Sequence, residues 1–163
     1  MIDLTHLHPM IVHFPIALLI VGFLFDVVAL FYKQEQMSRI GFYLLVLGAL
    51  GTIAALLSGE NAGEGIVEQG LLKDAIEKHE HAAELTLWLV GVTAVARLVL
   101  VVLKKYTGVF KAAVLVLFLA SVLSVARTGY YGGKLVYEHA AGVQFNIGLD
   151  AFDTPAPENP DHD

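Results

Sequence analysis

The sequence predicts an all-α fold: an integral membrane four-helix bundle with both termini on the outer side. Three observations carry this expectation. Hydrophobic residues make up 56% of the 163-residue chain and charged residues only 16%, with a mean hydropathy of +0.67. That is more apolar and less charged than soluble domains, which run at about half and about a quarter. The apolar residues fall into four runs, each near the roughly 20 residues a helix needs to cross about 30 Å of hydrocarbon. Finally, the two short links between runs are basic.

The first run, Pro9 to Tyr32, has no basic segment ahead of it and no small-residue cleavage site, so it reads as a retained helix rather than a signal peptide. Pro9 suits a first helical turn and makes His8 the expected N-cap. Pro15 removes the hydrogen bond to the Ile11 carbonyl and is expected to kink the helix beside His13. The second run, Ile40 to Leu57, carries Gly41, Gly48, Gly51 and Ala55, with Gly59 following. Small residues at this spacing let helices approach closely, and they also leave room for a flat macrocycle. The third run, Ala82 to Leu103, opens from EKHEHAAELTLW, and the fourth, Lys111 to Tyr131, continues into RTGYYGGKLVYEHAAGV. Each span must be helical, because lipid offers the backbone no hydrogen-bond partners.

The links Lys33 to Arg39 and Lys104 to Lys111 hold Lys33, Arg39, Lys104, Lys105 and Lys111 against the single acid Glu35. The positive-inside rule makes them cytoplasmic. Both termini and the Ser58 to Lys78 loop are then outside, periplasmic or extracellular, in the setting of a multi-pass membrane protein. Within that loop Ile66, Leu71, Leu72 and Ala75 have the spacing of a short helix lying on the membrane surface. Residues 1–149 read as one transmembrane domain. Residues 150–163, DAFDTPAPENPDHD, are acidic and Pro-rich and read as a disordered tail.

The chain has no cysteine, which removes disulfides, thiolate-held iron–sulfur clusters and thioether-attached haem. A net charge of −6 gives no basic face for nucleic acid. No nucleophile with an adjacent base and no phosphate loop is visible, so nothing in the chain reads as the active site of a stand-alone enzyme.

Six of the seven histidines fall at one side of the membrane: His6, His8 and His13 at the first run, His79 and His81 at the third, His139 after the fourth. His13 is placed about one turn below the surface. At 100° per residue His79 and His81 point to opposite faces, while Glu77, His81, Glu84 and Trp88 share one stripe. The expectation favours His81 as the inward one, with Glu84 holding its second ring nitrogen. Arg127, Tyr131, Lys134 and Glu138 fall at helical spacing. Arg127 and Lys134 suit the propionates of a haem, or else are snorkelling cations among interfacial tyrosines. Asp26 and Arg97 are buried in hydrocarbon at matching depth, and are expected to form an interhelical ion pair rather than a proton path. His162, in the tail, is set aside.

At HPMIVHFPIALL and GYYGGKLVYEHAAGV the chain resembles a bacterial family of predicted four-helix membrane proteins catalogued as a domain of unknown function. The resemblance runs from about His8 to Val143. It picks out His8, Pro9, His13, Phe14 and Pro15, a histidine at the head of the third helix, and Gly132, Gly133, Tyr137, His139 and Gly142. Ala140 and Ala141 depart from it, since the family usually has glycine there. Members resembling this chain occur fused to, or encoded near, cytochrome c and Rieske-type domains, which implies a place in electron transfer with such partners. Both His79 and His81 suit the third-helix position.

Three readings follow. The first is haem b held between helices, with His13 and His81 as the axial pair, Arg127 near the propionates, and His8 with His139 as a second site. The second is a copper, zinc or iron site built from His13, His81, His8 and His139. The third is an accessory subunit without a cofactor. The sequence leaves a homo-oligomer open.

Overall fold

The computed structural model describes residues 7–32, 34–63 and 71–139. His6, His162, Ile66, Gly142 and the 150–163 tail lie outside the described residues. Four helices follow one another: α1 (Leu7–Tyr32), α2 (Glu35–Gly63), α3 (Leu71–Val102) and α4 (Gly108–His139). All four are long and apolar enough to cross a membrane. Their outward faces carry large apolar side chains in quantity, among them Phe14, Leu24, Trp88, Val95 and Leu123. In lipid such a surface is solvated rather than exposed.

The helices reach beyond the apolar runs at the histidine end. α3 begins at Leu71 rather than near Ala82, and α4 continues past Tyr131 to His139. Leu71, Leu72 and Ala75 therefore belong to the first turns of α3, not to a separate surface helix. Helix propagation needs no apolarity, and Lys73–Glu77 and Lys134–Glu138 pairs one turn apart support these solvated segments. Gly132 and Gly133 do not break α4. His8 sits in the first turn of α1, one residue inside its start.

The four helices form a square. α1 lies beside α2 and α4, α3 lies beside α2 and α4, and the backbones on each diagonal stay apart. The tightest seam joins α1 to α2, where glycines replace side chains. A Cβ at Gly41 would stand 2.9 Å from the Gly22 carbonyl oxygen, and one at Gly48 2.7 Å from Leu19 Cδ2. Pro15 is seated on Gly51, whose Cβ would come within 3.2 Å of the ring. The glycine stripe of α2 is thus the packing surface for α1. The α3–α4 seam is fastened by hydroxyls instead. Thr86 Oγ1 meets Ser124 Oγ at 2.7 Å and Thr128 Oγ1 at 2.9 Å, and Thr93 Oγ1 meets Ser121 Oγ at 3.1 Å. Leu19, Leu45, Val90, Phe118 and Val125 fill the middle of the bundle.

Away from the histidines the bundle is closed by Asp26 and Arg97, 2% and 1% exposed. Arg97 Nη1 donates to Asp26 Oδ2, and Nη2 donates to Asp26 Oδ1 at 2.7 Å and to the Ser38 carbonyl at 2.6 Å. The expected interhelical ion pair is present, and it spans the α1–α3 diagonal. Phe42 and Tyr106 flank the guanidinium, with Arg97 Cζ at 5.5 and 4.9 Å from their ring centroids. Tyr106 is delivered by the tight turn after α3. Lys105 N–H donates to the Leu100 carbonyl at 2.8 Å and Lys104 N–H to Val101 at 3.0 Å, while Lys104 takes a left-handed φ of 56°. This is a Schellman cap with lysine where glycine is usual. Burial at this seal raises the Tyr106 phenol above its ordinary value.

Candidate functional site

The inward face of α3 is defined by Arg97, a charge that must point into the bundle. Counting back along that face gives Thr93, Val90, Thr86 and Ala82, all buried, and then His79. The 18 residues from His79 to Arg97 are five full turns at 3.6 residues per turn, so the two share one face. α1 has the same spacing: His8 and Asp26 are also 18 residues apart. Two helices on a diagonal therefore each present one histidine and one charge inward, about 27 Å apart along the axis. The charges meet at one end and the imidazoles at the other.

His8 and His79 rings lie with centroids 6.5 Å apart and planes at 84°. Both are half-buried. His8 Nδ1 is 2.9 Å from Ser58 Oγ of α2, and His79 Nδ1 is 3.2 Å from the Thr128 carbonyl of α4. Ser58 Oγ also lies 2.9 Å from the Ala55 carbonyl oxygen, to which it can donate. Each ring also rests on a glycine of the helix beside it. A Cβ at Gly59 would come 3.0 Å from His8 Cε1, and one at Gly132 would come 3.2 Å from His79 Cε1. Each imidazole is thus held between a hydrogen-bonding oxygen and a bare stretch of backbone on the adjacent helix.

The other histidines are placed differently, and it is His79, not the expected His81, that faces the bundle. His81 is exposed, on a stripe with Glu77, Glu84 and Trp88 that faces away from the bundle. Its phase relative to Arg97 requires this. His81 lines an open cleft of about 440 Å³ with Asp74, Glu77, Lys78, Arg127 and Tyr131. His13 is also exposed, and its Nδ1 bonds the Pro9 carbonyl of its own helix at 2.5 Å. It stands 13 residues from Asp26, well off the inward face, so His13 and His81 do not meet inside the bundle. His139 lines a neighbouring cleft with Lys134 and Glu138, and His8 is paired with His79, not with His139. Arg127 lies over the Tyr131 ring at 5.5 Å and Lys134 over Tyr130 at 5.4 Å, an arrangement that interfacial anchors share. Among the described residues no three His, Asp or Glu side chains converge as a metal site would require, so the set His13, His81, His8 and His139 is not assembled. Ser58 and Thr128 were not singled out by the sequence. Only the phase set by Asp26 and Arg97, carried five turns along each helix, would have pointed to their neighbours His8 and His79.

Apolar outward faces of membrane-spanning length and a square of four helices, with Asp26 and Arg97 paired across one diagonal and the His8 and His79 rings 6.5 Å apart across it at the other end, define a polytopic membrane protein. The chain belongs to the family described as predicted membrane protein (DUF2231), whose model matches residues 5–145. Compared with curated proteins and with solved structures, it finds no match.

Proposed function

We propose that the protein is a b-type cytochrome of the bacterial inner membrane, with His8 and His79 as the axial ligands of a haem at its periplasmic end. The observation that carries this reading is the pairing of two imidazoles from diagonal helices, each with its hydrogen bond on Nδ1. Two metal–imidazole bonds of about 2 Å each, together with the ring halves behind them, span a centroid separation close to the observed 6.5 Å. Nδ1 bonds to oxygen acceptors are also how metal-bound imidazoles are oriented and made more basic.

Ligand number favours haem over a bare ion. Tetrahedral zinc or copper takes three or four protein ligands, whereas a porphyrin occupies four iron positions and asks the protein for two. The residues present fit that request. Bound haem would supply one-electron transfer, while the chain orients the two ligands and keeps the bundle centre dry with Leu19, Val90 and Phe118. Cytochrome c or Rieske-type proteins are the partners this reading implies.

The test is a reduced-minus-oxidised spectrum of protein purified in detergent from cells supplied with ample haem. We expect b-type bands, lost in His8→Ala and His79→Ala and kept in His13→Ala and His81→Ala. Wild-type protein that stays colourless even after hemin titration would sink the proposal, and metal found in such protein by elemental analysis would favour the ion instead.

A further inference from the structure

We infer that Ser58 is a positioning residue for His8, holding its imidazole as the Nδ1–H tautomer so that the Nε2 lone pair stays available for a ligand; its bearing on iron rests on the haem reading above. The argument is one of proton accounting. A hydroxyl has one proton, and Ser58 can place it on the Ala55 carbonyl oxygen 2.9 Å away. With the proton placed there, the oxygen accepts in its 2.9 Å contact with His8 Nδ1. The arrangement in which both contacts are hydrogen bonds, with a carbonyl that can only accept, therefore has neutral His8 carrying its proton on Nδ1. The Thr128 carbonyl, which cannot donate, imposes the same tautomer on His79. The difference between the two cradles is that one is backbone and the other a replaceable side chain.

Gly59 completes the His8 cradle. A side chain there would press on His8 Cε1 from 3.0 Å, so α2 fixes the place of the ring with one residue and its proton with the one before. An imidazole that donates through Nδ1 to oxygen is a more electron-rich ligand, and such a ligand favours ferric over ferrous iron.

The experiment uses the full-length chain labelled with ¹⁵N-histidine in lipid nanodiscs, His8 being assigned by its loss in His8→Ala. Wild-type protein should show His8 protonated on Nδ1. Ser58→Ala should turn this into a mixture of tautomers, and Ser58→Thr should restore it. Should Ser58→Ala fail to fold, the wild-type spectrum decides alone: His8 protonated on Nε2 overturns the inference. A folded Ser58→Ala with an unchanged His8 signal overturns it as well. In haem-loaded protein the midpoint potential should move in the positive direction in Ser58→Ala and return with Ser58→Thr; no movement at full haem content counts against the inference. Absence of haem from wild-type protein would remove the cytochrome reading while leaving the tautomer measurement to decide the role of Ser58.

Discussion

Asp26 and Arg97 show why a buried charge in a membrane bundle is a rigid constraint. Each is almost wholly removed from solvent, and the bidentate contact between them is completed by Ser38 Oγ, which donates to Asp26 Oδ1 at 3.3 Å. Asp26→Ala should cost about 3–5 kcal/mol, because it strands a buried guanidinium. The double variant Asp26→Leu with Arg97→Met should recover most of that loss, since it removes the charge as well as the bond. Unfolding in mixed micelles measures both, and a single variant as stable as the double would contradict the argument. The same residues also mark helical phase. His8 and His79 sit five turns from them on the same faces, and the exposed positions of His13 and His81 follow from the same count.

Among the helices, the two seams are held by different chemistry. The α1–α2 seam depends on the absence of side chains, so Gly41→Ala, whose Cβ would meet the Gly22 carbonyl oxygen at 2.9 Å, should destabilise by about 1–3 kcal/mol. A backbone atom cannot step aside as a side-chain tip can. The end of α3 offers the opposite sign. Lys104 adopts a left-handed φ of 56°, which disfavours any residue with a Cβ, and Lys104→Gly should stabilise by about 1 kcal/mol. Thermal denaturation of the two variants in one detergent would show shifts in opposite directions. The small-residue stripe was legible as packing material, and the seam confirms that use. The Thr86, Thr93, Ser121 and Ser124 ladder was not legible, because an isolated hydroxyl in an apolar run has the same pattern whether it faces lipid or a neighbour.

For the whole molecule, the proposed orientation makes a prediction that the chain is well suited to test. It has no cysteine, so single cysteines report their surroundings without background. Glu80→Cys should be labelled in intact cells by a membrane-impermeant maleimide, and Lys104→Cys only after permeabilisation. The reverse pattern would place the histidine end in the cytoplasm and overturn the periplasmic assignment.

The sequence by itself determined that this is a membrane protein of four apolar helices, that Asp26 would find Arg97, and that the histidines gather at one end. These follow from hydropathy, length and depth, which are properties of each segment alone. Only the tertiary structure decided that His8 meets His79, that the meeting crosses a diagonal, and that Ser58 and Thr128 hold the rings. The reason is physical. Depth along a helix is set by its own residues, but the direction a side chain takes around the axis has meaning only once its neighbours are placed, and here the two rings approach across a diagonal, between helices whose backbones stay apart.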